Sequence, residues 1–324
     1  MALAPMANVT DAAFRRIIAK YGRFTRPDGT SGGGPDIFFT EFVSADGLLS
    51  AGREKLLVDL LYSENERPIV AQLFSGNPEK MYEAAQLVKQ LGFDGLDINM
   101  GCPDRSIEKS GAGAALIKDP ARAREVIRAA IEGASGLPVS LKTRLGYNKD
   151  ELESWLPELL KEPLAAVTIH ARTRKEMSAV PARWDRVKRA VEIRNTLQKE
   201  TLILGNGDVM SVAEANEKAR ESGADGVMLG RAIFGNPWLF QKGETLPTGK
   251  VSPFQKIKTL REHVNLFDEL LGEHKNFAIM KKHFKAYVEG FDGAKELRMK
   301  LMKTESVAEV EKVVLAFLPT KSTM

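Results

Sequence analysis

Residues 223–240 read GADGVMLGRAIFGNPWLF. Within them GVMLG (226–230) is short, apolar and bounded by glycine, the pattern of a strand buried on both faces. Seven runs of the same kind precede it: ALAP (2–5), DIFFTEF (36–42), PIVAQLF (68–74), GLDINM (95–100), LPVSLK (137–142), AAVTIH (165–170) and TLILGN (201–206). Amphipathic segments such as PEKMYEAAQLVKQLG, DPARAREVIRAAIEG and VAEANEKARESG separate them. Several of these open at Asn, Asp or Ser near a Pro and close on Gly, as helices do. Eight strands alternating with helices predict an α/β chain folded as a (β/α)8 TIM barrel. A doubly wound sheet is the alternative, but no reversal point stands out in the order.

After GNPWLF the alternation stops. GETLPTGKVSP (243–253) has the composition of a linker, and the pattern from there to about residue 317 is helical. The expected domains are therefore 1–242, a TIM barrel, and 243–324, a small C-terminal all-α helical domain. GRFTRPDGTSGGGPD (22–36) reads as a Gly-rich loop between the first helix and the second strand, on the barrel face remote from chemistry.

The chain has 324 residues, 43% hydrophobic and 28% charged, an ordinary globular balance. Its single cysteine excludes an internal disulfide and fits a reducing compartment. The N-terminal sequence has no signal-peptide pattern, and no window approaches 18 unbroken apolar residues. The expectation is a cytoplasmic protein with no membrane partner, and a monomer by default. The net charge of +4 is concentrated at the C-terminal end, where residues 241–324 carry 15 Lys and Arg against 11 Asp and Glu. Between Lys275 and Lys303 eight basic residues face three acidic ones. Such a basic face fits a polyanion partner, and on charge alone it fits a solvated helix surface equally well.

In a barrel of this kind chemistry gathers at the carboxyl ends of the strands. The first strand ends in Pro5 and Met6, the third carries Gln72, and the fourth leads to Asn99 and Cys102. The fifth ends in Lys142 with Arg144 beyond, and the sixth in His170 followed by Arg172. The seventh ends in Asn206-Gly207-Asp208, and the eighth in Gly230-Arg231. One polar strand end is ordinary. Amide, thiol, ammonium and imidazole groups on successive ends converge on one mouth. Gly207 and Gly230-Arg231 lie after the last two strands, the usual phosphate site of such barrels, with a helix N-terminus expected beside them. A phosphate-bearing ligand follows from these residues, with tight turns alone as the competing explanation. No metal is expected, because HExxH and HxxxH are absent and the cysteine is alone. No GxSxG elbow suggests a hydrolase.

Motifs from end to end carry a family likeness: APMANVTDAAFR, TEFVSADGL, VAQLFSGNPE, GLDINMGCP, SGAGAAL, SLKTRLG, TIHARTR, LGNGDV and GADGVMLGRAIFGNPWLF. The chain resembles the FMN-dependent tRNA-dihydrouridine synthases, and MKKHFKAYVEGFDGAKELR (280–298) is similar to that family's RNA-binding segment. The resemblance implies FMN at the barrel mouth, NADPH as reductant, tRNA as partner and a helical domain that grips it. It implies that Pro5 and Met6 back the flavin ring, with Gln72 at its polar edge and Lys142 at its N1/O2 region. His170, Asn206, Gly207, Asp208, Gly230 and Arg231 would hold ring, ribityl and phosphate. Asn99, Cys102, Arg144 and Arg172 would serve the uracil, and Lys281, Lys282, Lys285 and Arg298 the RNA. The implied reaction saturates the C5–C6 bond of a uridine, with hydride from flavin N5 to C6 and a proton from Cys102 to C5. A thiol with an ordinary ionisation near 8.5 is mostly protonated at neutral pH, which suits it to general acid. The base must leave its stack to reach such a mouth. SGAGAAL is expected to be a flexible flap over that base. The rivals are a small-molecule flavin reductase of the dihydroorotate dehydrogenase type, a dihydrouridine synthase acting on ribosomal RNA, and a tRNA-binding protein without catalysis. Which uridine is reduced, and NADPH against NADH, are not written in these motifs.

Overall fold

The computed structural model describes residues 1–25, 31–241 and 251–317. The chain divides into two compact units, Met1–Ala7 with Asp36–Arg231, and Asn8–Pro35 with Ala232–Met324. In chain order the strands are β1 Ala2–Leu3, β2 Arg23–Thr25, β3 Ser31–Gly33, β4 Phe38–Ser44 and β5 Ile69–Phe74. They continue with β6 Gly95–Met100, β7 Val139–Arg144, β8 Ala166–His170, β9 Leu202–Asn206 and β10 Gly226–Leu229.

The first unit is the expected barrel. Its strands run in the order β1-β10-β9-β8-β7-β6-β5-β4, and every pairing is parallel. A parallel bridge from Ala2 to Ile37 closes the ring, and the Leu3 amide donates to the Ile37 carbonyl at 3.2 Å. Helices follow the strands as their cap signals dictate. Asn77 Oδ1 accepts from the amides of Glu79 and Lys80 ahead of Pro78–Gln90, and Asp119 caps Pro120–Ala134. Val212–Ser222 starts on Ser211 and stops at Gly223, whose φ of 70° glycine tolerates. No helix among the described residues is long and apolar enough to cross a membrane.

Side chains alternate along each strand, and that period of two builds the site. Ala2, Ala4, Phe39, Val70 and Met228 form one buried cluster, with Met6, Ile37 and Leu204 packed against it. Two residues farther along the same faces come Gln72 after Val70, Asn206 after Leu204 and Gly230 after Met228. An apolar layer therefore lies beneath a polar one.

The second unit holds helices Ala12–Gly22, Pro253–Leu271, Met280–Tyr287, Ala294–Leu301 and Val307–Phe317. Its core is aromatic. Phe14 stacks on His263 at 4.9 Å between ring centroids and meets His283 edge-on at 4.8 Å, while the two imidazoles lie 4.6 Å apart. Tyr21 donates to Glu262 at 2.6 Å, and Lys20 pairs with the same carboxylate. These contacts are why Asn8–Pro35 clusters with the C-terminal helices, although the sequence reading kept it with the barrel. Within the stretch 22–36, β2 and β3 pair as an antiparallel ribbon, so it is not a plain loop. The expected boundary at 242/243 and most of the linker 243–253 lie outside the described residues.

Candidate active site

A cavity of about 270 Å³ opens among the ends of β1, β7, β8, β9 and β10. Pro5, Met6, Lys142, His170, Arg172, Asn206, Gly207, Asp208, Gly230 and Arg231 all line it. Gln72 does not, nor do Asn99, Cys102 and Arg144.

Lys142 has no hydrogen-bond acceptor among the described residues. Burial and the nearby Arg144 cation lower its ionisation to about 8, against a partial counterweight from Asp97. An unpartnered ammonium facing a cavity needs an anion or acceptor from outside the protein. His170 is held neutral: burial and the charges of Lys142, Arg144, Arg172 and Arg231 push it far below its ordinary value. Arg172 Nη1 lies 3.1 Å from His170 Nε2. A guanidinium only donates, so Nε2 accepts and the imidazole proton sits on Nδ1.

Arg172 itself is 2% exposed. Nε donates to the Val180 carbonyl at 2.5 Å, Nη1 to His170 and Nη2 to Asp208. All three nitrogens have protein partners, so Arg172 meets a ligand in the cavity only through the second N–H of Nη1 or Nη2. Asp208 also pairs with Arg231 at 2.5 Å and accepts from the Ala182 amide at 2.8 Å. The Arg172 hydrogen bond leads the interactions that hold its carboxyl below the usual range. Asp208 has φ of 55° and Gly207 a φ of 130°, and a Cβ at Gly207 would stand 2.8 Å from the Ala182 side chain. After β10 comes only the three-residue turn Arg231–Ile233. The helix N-terminus expected there is absent, because so short a turn sums few peptide dipoles. Positive charge at this end comes from side chains.

Cys102 stands on the turn after β6, partly buried. Burial raises its ionisation above the ordinary value, opposed in part by the Asp104 backbone amide and by Arg144 and Lys142. The thiol is thus protonated at neutral pH. Its turn is pinned from both sides. Asn99 Oδ1 accepts from the amides of Gly101 at 3.1 Å and Cys102 at 2.9 Å. Arg144 Nε donates to the Gly101 carbonyl at 2.8 Å, and its Nη1 to the carbonyls of Thr173 and Met177, each at 3.1 Å. Arg144 is 8% exposed and braces two loops, where the uracil edge had been expected. The Ala114 amide donates to the Cys102 carbonyl at 2.9 Å, and Gly113–Lys118 is a largely buried 3-10 turn. SGAGAAL is therefore packed scaffold, and the flexible flap expected there is not formed.

Asp97 and Ser140 escaped the sequence reading. Asp97 is fully buried, accepting from Gln72 Nε2 at 2.6 Å and from Ser140 Oγ at 2.5 Å. Burial raises its ionisation to about 6, against the lowering effect of those bonds and of Lys142. The signal was available: an acid two residues before Asn99 in an apolar strand shares its face.

A family model described as dihydrouridine synthase matches residues 2–321. The chain belongs to the dihydrouridine synthase family. Among its relatives, a probable tRNA-dihydrouridine synthase of Staphylococcus aureus (strain COL) is 39% identical over 318 residues, spanning 97% of this chain and 92% of that one. The probable tRNA-dihydrouridine synthase 2 of Bacillus subtilis (strain 168) is 40% identical over 311 residues, 95% of this chain and 90% of its own. Solved structures of similar fold include morphinone reductase, with a TM-score of 0.51 at 14% identity over 76% of this chain and 87% of that chain. The old yellow enzyme from Trypanosoma cruzi gives 0.52 at 10% identity over 79% and 91%. At these identities they support the barrel alone.

The four basic residues expected to serve RNA lie in the second unit. Lys282 and Lys285 are exposed and Lys281 half-buried on helix Met280–Tyr287, whose other face buries Met280, His283, Phe284 and Tyr287. Arg298 is different: its Nη1 donates to the Val288 carbonyl at 3.1 Å.

Proposed function

We propose that this chain is a tRNA-dihydrouridine synthase that binds FMN in the cavity, takes its electrons from NADPH and reduces the C5–C6 bond of a uridine. The relatives' names and their near-complete coverage support tRNA as substrate. The observation that carries the chemistry is a protonated thiol at the end of β6 beside the ammonium of Lys142 on β7. The cavity's donors fit FMN: Lys142, Arg172 and Arg231 outnumber the single carboxylate of Asp208, and His170 Nδ1 and the Asn206 amide add neutral contacts.

When bound, FMN supplies the hydride for the reduction. Arg231 pairs with Asp208, is 61% exposed along its side chain, and would meet the phosphate. Gly207 and Gly230 permit close backbone approach there. Pro5 and Met6 form an apolar wall, and Lys142 places positive charge where anionic character collects. Cys102 gives its proton to C5, and Asn99, whose Oδ1 holds the turn, has one Nδ2 hydrogen left for a uracil carbonyl. Lys281, Lys282 and Lys285, in the proposed tRNA-binding domain 243–324, neutralise RNA phosphates and offset the few kcal/mol that extruding a base costs. This basic helix favours RNA over a free pyrimidine as substrate, and a cytoplasmic setting suits both partners.

The test is to incubate the protein with unmodified tRNA and NADPH, digest the tRNA, and weigh its nucleosides. A uridine heavier by two hydrogens is expected. No such product from a flavin-loaded preparation, or no flavin absorbance after reconstitution with FMN, overturns the reading. Charge reversal at Lys281, Lys282 and Lys285 is expected to weaken tRNA binding and flatten its salt dependence with flavin retained.

A further inference from the structure

The side chains of Ser140, Asp97, Gln72 and Asn99 form one hydrogen-bonded chain across β7, β6 and β5. We propose that Asp97 is a positioning residue for the thiol: its carboxylate sets the direction of this chain and so keeps Asn99 Oδ1 on the amides of Gly101 and Cys102. The inference deepens the proposed function, since it rests on Cys102 as the proton donor.

The argument is one of donors and acceptors. An ionised carboxylate only accepts. Asp97 accepts from Ser140 Oγ on one oxygen and from Gln72 Nε2 on the other. A side-chain amide has one donating and one accepting end, so committing the Gln72 NH2 to Asp97 leaves its Oε1 for Asn99. Asn99 Nδ2 donates to that oxygen at 3.0 Å. Asn99 is thereby turned with Oδ1 toward the two backbone amides of the thiol turn. Reversing Gln72 would reverse Asn99 and set its NH2 against those amides, losing both bonds. Ser140, with a rotatable hydroxyl, can satisfy either direction and sets none. Among the four side chains Asp97 alone permits a single direction, and it fixes the chain from one end as the two backbone amides do from the other.

The strand register makes the chain possible: Gln72 lies opposite Asp97, Asp97 opposite Ser140 and Asn99 opposite Lys142. The same carboxylate lends Lys142 part of its counter-charge. One buried acid thus acts on both proposed reacting groups without touching substrate.

Cys102 is the one cysteine of the chain, so its alkylation reports the turn with no background. The rate of reaction with iodoacetamide is measured on the purified protein, without RNA or NADPH, beside its melting temperature. Asp97→Leu, which abolishes the acceptor, is expected to speed alkylation about tenfold, the scale of one lost hydrogen bond. Asp97→Asn is expected to recover most of the wild-type rate, because its oxygen still accepts from Gln72 while Ser140 turns to accept. Gln72→Met cuts the next link and is expected to match Asp97→Leu, which keeps the test alive if the leucine variant does not fold. A wild-type rate in either folded Asp97→Leu or Gln72→Met overturns the proposal, as does Asp97→Asn reacting as fast as the leucine variant. Loss of dihydrouridine product with unchanged alkylation in every variant counts against Asp97 and leaves the enzyme reading intact. Altered alkylation in a protein that never makes dihydrouridine supports the wiring and removes the proposed function.

Discussion

Burial moves Cys102 up from its ordinary ionisation, so the thiol keeps the proton that the proposed reaction delivers to C5. Cys102→Ala is expected to lower product formation by roughly 10²–10⁴, the usual worth of a positioned acid, with tRNA binding unchanged. Mass analysis of digested tRNA and a binding titration check the two halves. Lys142 titrates in the other direction. Below about 8 it is a cation, and as pH rises through that value the charge is lost. The reduction rate is expected to fall on that alkaline limb, and Lys142→Met is expected to be slow at all pH values and to lack the limb. The strand-end residues could be read from the sequence because alternation and barrel geometry assign them to one mouth. Arg144 ends β7 and Arg172 follows β8, and both have protein partners that the sequence did not announce. Besides His170 and Asp208, their acceptors are the carbonyls of Gly101, Thr173, Met177 and Val180, and no side-chain pattern announces a carbonyl. Asp97 was passed over because it stands one pleat below the strand end.

At the scale of elements, the turn carrying the thiol depends on its neighbour. Gly113 has φ of 60°, and a Cβ there would stand 2.8 Å from the Cys102 carbonyl oxygen and 2.9 Å from Ile107. Gly113→Ala is expected to cost about 1–2 kcal/mol from the left-handed backbone alone. A melt should show a drop of a few degrees, with activity falling further because the displaced group holds Cys102. Small residues in SGAGAAL suggested mobility when read as composition. In the fold they let backbones approach: a Cβ on Gly76 would meet the carbonyl groups of Ser110 and Gly111 at 2.8 Å. Glycine density reports close packing and freedom alike, and only the packed neighbours separate the two. The eight strands were legible because each is a bounded apolar run. The three-residue turn after β10 was not, since its apolar continuation reads like the start of a helix.

For the whole molecule, the second unit depends on keeping His263 and His283 neutral. Both are fully buried, neither ring has a hydrogen-bond partner, and burial lowers both ionisations, that of His283 to about 3. An unfolded histidine titrates near 6.5. Below that value the unfolded chain binds protons the folded unit refuses, so stability is lost as pH falls from about 6.5 toward 3. Circular dichroism is expected to show the helices melting more easily at pH 5 than at pH 7.5, and His283→Phe is expected to blunt the difference. The helical character of residues 253–317 could be read in advance. That helix Ala12–Gly22 belongs with them could not, because its partners lie more than two hundred positions away. This discontinuity has a consequence for synthesis. Residues 8–35 leave the ribosome before 36–231, which come between them and their partners. At about 5–20 residues per second, that interval lasts roughly ten to forty seconds. Throughout it Phe14, Ile17 and Ile18 are an adhesive surface without its mate. A gene truncated after residue 242 makes that condition permanent, and its product is expected to collect in inclusion bodies unless 8–35 is replaced by a polar linker.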